Sequence, residues 1–229
     1  MKRYCSALVF VFLLSFQSTR AQTTGAPVQS TPMEIPIHGA PIPTRVLVQS
    51  PSETVTDLQV ICLFASEKQN ALRGALAEIN ERLNGLLDQI RQPALFRGEL
   101  GETLLIEPRV GSIVAKGLLL IGLGDRATFT PNRMELIGAI VYRESSRLGI
   151  AHPYFAPTVI DGGVTKFSTG EVAENFIVGF RRGAKTDEVL KKQGAAQGSF
   201  PQDLTYLAGP THATDTQQGI EKGFASSPQ

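Results

Sequence analysis

Two segments of this chain, "DLQVICLFA" (57–65) and "KGLLLIGLG" (116–124), are apolar at nearly every position. A strand with one wet face alternates apolar and polar residues, so a continuous apolar strand is one covered on both faces. Each segment is followed by helical periodicity. After the first, Leu72, Leu76, Ile79, Leu83, Leu86 or Leu87, and Ile90 recur at steps of three and four, predicting one helix over 69–91 that Pro93 ends. After the second, Thr130 offers a hydroxyl N-cap and Pro131 sits at the first helical position, where its missing N–H is harmless. Ile137, Ile140, Val141 and Leu148 then give that helix its buried face. Fully apolar strands alternating with amphipathic helices define an α/β fold with helices on both faces of the sheet.

The remaining elements fit the same scheme. "RVLVQ" (45–49), "ETLLIEP" (102–108) and "YFAPTVIDG" (154–162) are further strands, the last interrupted by Pro157. Ser168 and Glu171 have capping-box spacing, and Val172, Ala173, Phe176, Ile177 and Phe180 follow at helical intervals. Arg181 and Arg182 are expected to close this helix where its dipole favours cations, with Gly183 just beyond. The regular domain is thus expected over 44–185, without an internal repeat. Residues 186–229 form a polar tail holding a strand at 203–209 and a weak helix at 215–225. Residues 22–43, rich in Pro, Thr, Ser and Gly, are expected to be an extended leader whose "MEIPIH" piece can pair at a sheet edge.

The first 21 residues stand apart. Lys2 and Arg3 precede an apolar stretch from about Ala7 to Phe16, and Thr19 and Ala21 are small residues at the −3 and −1 positions of a cut after Ala21. This is the pattern of a cleaved export signal, and the apolar stretch is shorter than the roughly 20 residues a bilayer span needs. The expectation is an exported protein, periplasmic or extracellular, without a transmembrane segment in the mature chain. Cleavage removes three of the 22 Lys+Arg and no acid, leaving 19 against 21 Asp+Glu. A balance so close to neutral lacks the basic surface of a dedicated nucleic-acid binder. Cleavage also leaves Cys62 as the one cysteine, so no internal disulfide is expected and stability must come from the core. Cys62 lies inside an apolar run and is expected to be a small buried hydrophobe.

The order and wording of these segments resemble the N-terminal domain of the leucyl, or cytosol, aminopeptidase family. In that family a "D-x-L-V-V-x-x-F" strand opens the domain, followed by "G-E-x-L-L-L" and "R-V-L-L-V-G-L-G" strands and an "A-E-G-x-x-L-x-x-Y-x-F-x-x-Y-K" helix. Here "DLQVICLFA", "GETLLIEP", "KGLLLIGLGDRATFTPNRMELIGAIV" and "EVAENFIVGFRRGAK" follow in the same order over roughly 44–185. "DLTYLAG" and "TQQGIEKGFA" are similar to the connector that precedes the family's catalytic domain. The resemblance implies a three-layer α/β/α macrodomain-like fold with a mixed sheet. It also implies that two metal ions are held in a C-terminal domain by a Lys, three Asp and a Glu, partly in an "N-T-D-A-E-G-R" motif, and this sequence contains no such motif.

Five residues are the candidates for a ligand site. Gly122, Gly124 and Asp125 form a glycine turn after a strand, and Gly162 and Gly163 follow Asp161 in a second turn. The first turn has G-x-G without the third glycine of a dinucleotide fingerprint, and Asp125 puts negative charge where a phosphate would sit. Both turns are therefore read first as structural. Asp161, Asp187, Asp203 and Asp215 are expected in separate loops, His38, His152 and His212 have no evident acid partner, and no G-x-S-x-G is present. Lys191-Lys192 and Arg181-Arg182 are short basic pairs suited to solvated surfaces. No catalytic residue, metal site or cofactor is expected.

Two functions follow. The first is an exported, non-catalytic interaction or ligand-binding module, with a protein partner or a second copy of itself. The alternative is a regulatory or fragmentary component of a metal-dependent leucyl aminopeptidase whose catalytic domain is encoded elsewhere or lost.

Overall fold

The structure, a computed structural model, describes residues 32–65, 71–196 and 201–226. The expected export signal at 1–21 and the first part of the leader lie outside the described residues. Seven strands form one mixed sheet: β1 (Met33–Ile37), β2 (Thr44–Val48), β3 (Leu58–Leu63), β4 (Thr103–Ile106), β5 (Gly117–Gly122), β6 (Tyr154–Ala156) and β7 (Leu204–Ala208). Their spatial order is β1-β2-β7-β6-β3-β5-β4. The two edge strands run antiparallel to their neighbours, β1 on β2 and β4 on β5, and every interior pairing is parallel.

The strands β3 and β5 are the two continuous apolar runs at 57–65 and 116–124, and their place in the sheet explains why both faces had to be apolar. Alternate residues face opposite layers. Leu58, Val60, Cys62, Leu119 and Ile121 pack under α3 (Arg133–Leu148), α4 (Thr169–Lys192) and α5 (Ala213–Ala225). Ile61, Leu63, Leu118 and Leu120 face α1 (Gly74–Arg82) and α2 (Leu86–Arg91). This is a three-layer α/β/α arrangement. The larger layer holds an aromatic cluster in which the Phe155 and Phe176 rings stack at 4.0 Å between centroids, with Tyr206 and Phe180 against them. Cys62 is buried in the same core, where burial pushes its thiol well above the ordinary range and keeps it an inert hydrophobe.

Several sequence expectations need correction. The single helix expected over 69–91 is two helices among the described residues, because Asn84 and Gly85 adopt left-handed backbone (φ 55° and 76°) between α1 and α2. The apolar spacing hides the break, since Leu83 and Leu87 are both buried on either side of it. At α3, Thr130 is not the cap. Its hydroxyl donates to the Asn132 side chain, and a turn through Pro131 precedes a helix that starts at Arg133. Strand β6 stops at Ala156, before Pro157. Beyond it Thr158, at φ 49°, continues the pairing with its side chain: Oγ1 donates to the Cys62 carbonyl at 2.6 Å and accepts from the Cys62 N–H at 3.0 Å.

The helix opened by Ser168 does carry the capping box with Glu171, but it does not close at Arg181-Arg182-Gly183. It runs on to Lys192, past the expected domain limit at 185, and the left-handed Gly194 follows. Gly183 serves helix packing instead: a Cβ there would stand 2.7 Å from Cβ of Tyr142 on α3. One turn earlier the approach is closer still, and a Cβ on Gly179 would lie 1.8 Å from the Glu135 carbonyl oxygen. The two arginines bind neighbours, Arg181 donating to the carbonyls of Gly223 in the last turn of α5 and Ser226 just past it, and Arg182 pairing with Glu135. Residues 204–208 are more than a strand in a polar tail, because β7 is buried between β2 and β6. Within the expected leader, "MEIPIH" does form the edge strand β1.

Candidate functional site

The glycine turn at the end of β5 is filled by its own chain. The N–H groups of Gly122, Leu123 and Gly124 donate to the carbonyls of Glu102, Leu63 and Gly98 at 2.8 Å each. A Cβ on Gly122 would meet the Glu99 carbonyl at 1.9 Å, so the glycine is there to let the 98–99 backbone pass. Asp125 is exposed and its Oδ1 accepts from the Ala127 N–H at 2.8 Å, closing the loop locally. A phosphate at this turn would have to displace bonds already made.

The second pair of glycines stands elsewhere, beside a cavity of about 30 Å³, room for about two waters or one small oxyanion. It opens at the carboxyl end of β3, where parallel α/β sheets place their ligands. Leu63 and Phe64 at the end of β3, Leu76 of α1, and Gly162 and Gly163 are among the residues that line it. Gly162 fits against the Phe64 ring, which a Cβ would approach to 2.5 Å. The glycine loop is rigidly bonded: the N–H groups of Gly162, Gly163 and Val164 donate to the carbonyls of Thr158, Ile160 and Val159. Left-handed Thr158 starts this loop, and backbone strain of that kind is kept where the surroundings enforce it.

Charge at the cavity is predominantly positive. Arg73, Arg91 and Arg126 line it against one carboxylate, Asp161. Burial raises the Asp161 carboxyl above its usual range, partly offset by the Ala75 N–H, which donates to Oδ1 at 3.3 Å near the start of α1. Arg126 has an interaction of its own. Arg91 differs. It is 7% exposed and its side chain makes no hydrogen bond or ion pair with the described residues, while burial pushes its guanidinium down against a more distant attraction from Asp88.

Of the sequence candidates, the structure brings Gly162 and Gly163 to the cavity and leaves Gly122, Gly124 and Asp125 outside its lining. The expectation that His152 lacks an acid partner is corrected: its Nδ1 lies 2.7 Å from Oδ2 of Asp203, across 51 residues of sequence. Asp187 and Asp215 are also not in loops but on α4 and α5, Asp187 paired with Lys191 and Asp215 accepting from Thr169 and Gly170. Among the described residues, no group of three or more His, Cys, Asp or Glu could hold a metal ion, and no helix is long and apolar enough to cross a membrane.

The sheet order, the three layers and the site at the strands' carboxyl ends define a macrodomain-like α/β/α protein. A macrodomain from Oceanobacillus iheyensis superposes with a TM-score of 0.55 at 14% identity, over 85% of this chain and 95% of that one. A tomato leucine aminopeptidase superposes with a TM-score of 0.54 at 16% identity, over 77% of this chain and 35% of that one. Residues 60–194 match the N-terminal domain of the cytosol aminopeptidase family, and the chain belongs to that family. A probable cytosol aminopeptidase of Roseiflexus castenholzii is 27% identical over 180 residues, 79% of this chain. One of Thermosynechococcus vestitus is 32% identical over 103 residues, 43% of this chain. The chain spans 33% and 20% of these two relatives' lengths.

Proposed function

We propose that this chain is an exported, non-catalytic module of the cytosol aminopeptidase family that works by binding. The observation that carries the reading is which part of the family it matches: the similarity falls on the N-terminal domain. What the described residues gather at the strand ends is a cavity lined by arginines rather than a metal-ligand cluster. Peptide hydrolysis by a two-metal site requires ligands that clamp both ions and orient the attacking water. The export part of the reading rests on the N-terminal sequence pattern.

The test is an assay of the purified mature chain on leucine p-nitroanilide with added Mn²⁺ or Zn²⁺. No turnover above a buffer blank is expected, and metal-dependent turnover that follows the protein through purification overturns the reading. Mass spectrometry of protein from the periplasmic and extracellular fractions is expected to find a chain beginning at Gln22. An intact Met1 in the cytosolic fraction overturns the export part. The second reading, a component of an aminopeptidase with a separate catalytic subunit, draws on the curated relatives being probable cytosol aminopeptidases. Its mark is co-purification with a metal-dependent peptidase.

A further inference from the structure

We propose that the cavity between β3, α1 and the 158–163 loop is a binding site for a small oxyanion, a phosphate or carboxylate group, held by Arg91. The inference rests on the reading of this chain as a binding module and names the ligand class.

Arg91 is the main argument. A guanidinium has five N–H donors and cannot shed its charge at ordinary pH, so burying it unpaired is costly. Buried polar groups in folded proteins are bonded, and an exception calls for an explanation. Here the residue is 7% exposed and its side chain bonds to none of the described residues, and its nitrogens are not sealed off but open onto the cavity it lines. Its last-turn position in a six-residue helix gives it no comparable compensation. An anion in the cavity supplies the missing acceptors, and a planar fork of donors matches a carboxylate or phosphate bidentately.

Size and charge narrow the ligand. About 30 Å³ holds about two waters, so the part of a ligand that reaches Arg91 is no larger than one oxyanion group. The backbone N–H groups of Gly162, Gly163 and Val164 are spent on their own loop, so side chains rather than an amide cradle must do the recognition. Exposed Arg73 sits at the rim as a second cation. Asp161 faces the same space with Oδ1 accepting from the Ala75 N–H, and its negative charge disfavours an anion beside it, so the oxyanion must sit on the arginine side.

The experiment titrates the mature full chain with sodium phosphate, sodium acetate and sodium chloride at constant ionic strength, following backbone amide resonances by NMR. Saturable shifts centred on Leu76, Gly162 and Gly163 are expected with phosphate or acetate and not chloride, with Kd of about 1 mM or below. Phosphate alone identifies a phosphate site, acetate alone a carboxylate site, and either supports the proposal. Arg91→Met is expected to weaken binding about tenfold or more, while its Tm stays at or above the parent's because no side-chain pair with the described residues is lost. The absence of saturable shifts with both oxyanions overturns the proposal. So do shifts located elsewhere, or binding unchanged in Arg91→Met. If that variant does not fold, the titration of the parent chain still decides. A negative result leaves the non-catalytic reading standing, since the peptidase assay tests that separately.

Discussion

The two faces of the sheet are covered by different means. On one, α3, α4 and α5 approach so closely that glycines stand where helices meet, over a continuous aromatic core. On the other, two short helices separated by a left-handed break cover a smaller cluster of Leu and Ile, and beside them lies the cavity lined by Arg91. Tight backbone packing leaves no room for a ligand and no slack for substitution. The loosely built layer tolerates a cavity because its helices are short and its apolar surface is limited. The candidate binding site lies beside the second layer.

Substitutions on the two layers can break this contrast. The largest effects belong to the glycine-packed side. Phe176→Ala is expected to cost about 3–5 kcal/mol, and Gly179→Ala about 3 kcal/mol or more, both read from urea unfolding midpoints. A near-neutral Gly179→Ala would mean that α3 and α4 separate easily and that the contrast fails. Gly85→Ala tests the other layer. It asks an L-residue to hold φ 76° in open surroundings, so about 1–2 kcal/mol is expected. A cost equal to that of Gly179→Ala would put the two layers on the same footing.

The smallest effect is a pH dependence at the α4–α5 contact. Asp215 accepts from Thr169 Oγ1 at 2.7 Å and from the Gly170 N–H at 2.8 Å, and these bonds hold its carboxyl below the usual range. A carboxyl lowered in the folded state adds stability above its unfolded pKa of about 3.9 and loses it as pH falls through the folded value. Asp215→Asn is therefore expected to cost about 0.5 kcal/mol at neutral pH after solvent screening. The difference from the parent should shrink below about pH 4. A difference that grows on acidification would contradict the assignment.

The α/β class, the strands β3 and β5 and the capping box at Ser168 were legible in the residues because each depends on neighbours in sequence. The failures share one cause, dependence on tertiary neighbours. The leucine spacing continues unbroken through Asn84-Gly85, so periodicity could not show that the helix divides. Gly183 resembles a helix terminator until Tyr142 is seen packed against it. The candidate site was half legible: Gly162 and Gly163 were singled out as a turn, but nothing in "LLDQIRQP" tells that Arg91 turns inward to the cavity without a side-chain bond to the described residues. The His152–Asp203 pair was hidden in the same way, since only folding joins residues so far apart.

The position of β7 has a consequence for how the molecule is made. Leu204–Ala208 is the bridge between β2 and β6, so the early strands stay detached from the rest of the sheet until it emerges. At ordinary translation speeds, roughly 10–30 s separates the synthesis of Val48 from that of Leu204. During that interval the facing edges of β2 and β6 are open ladders, available to any passing extended chain. A premature stop before codon 204 is expected to leave two unjoined half-sheets prone to aggregate.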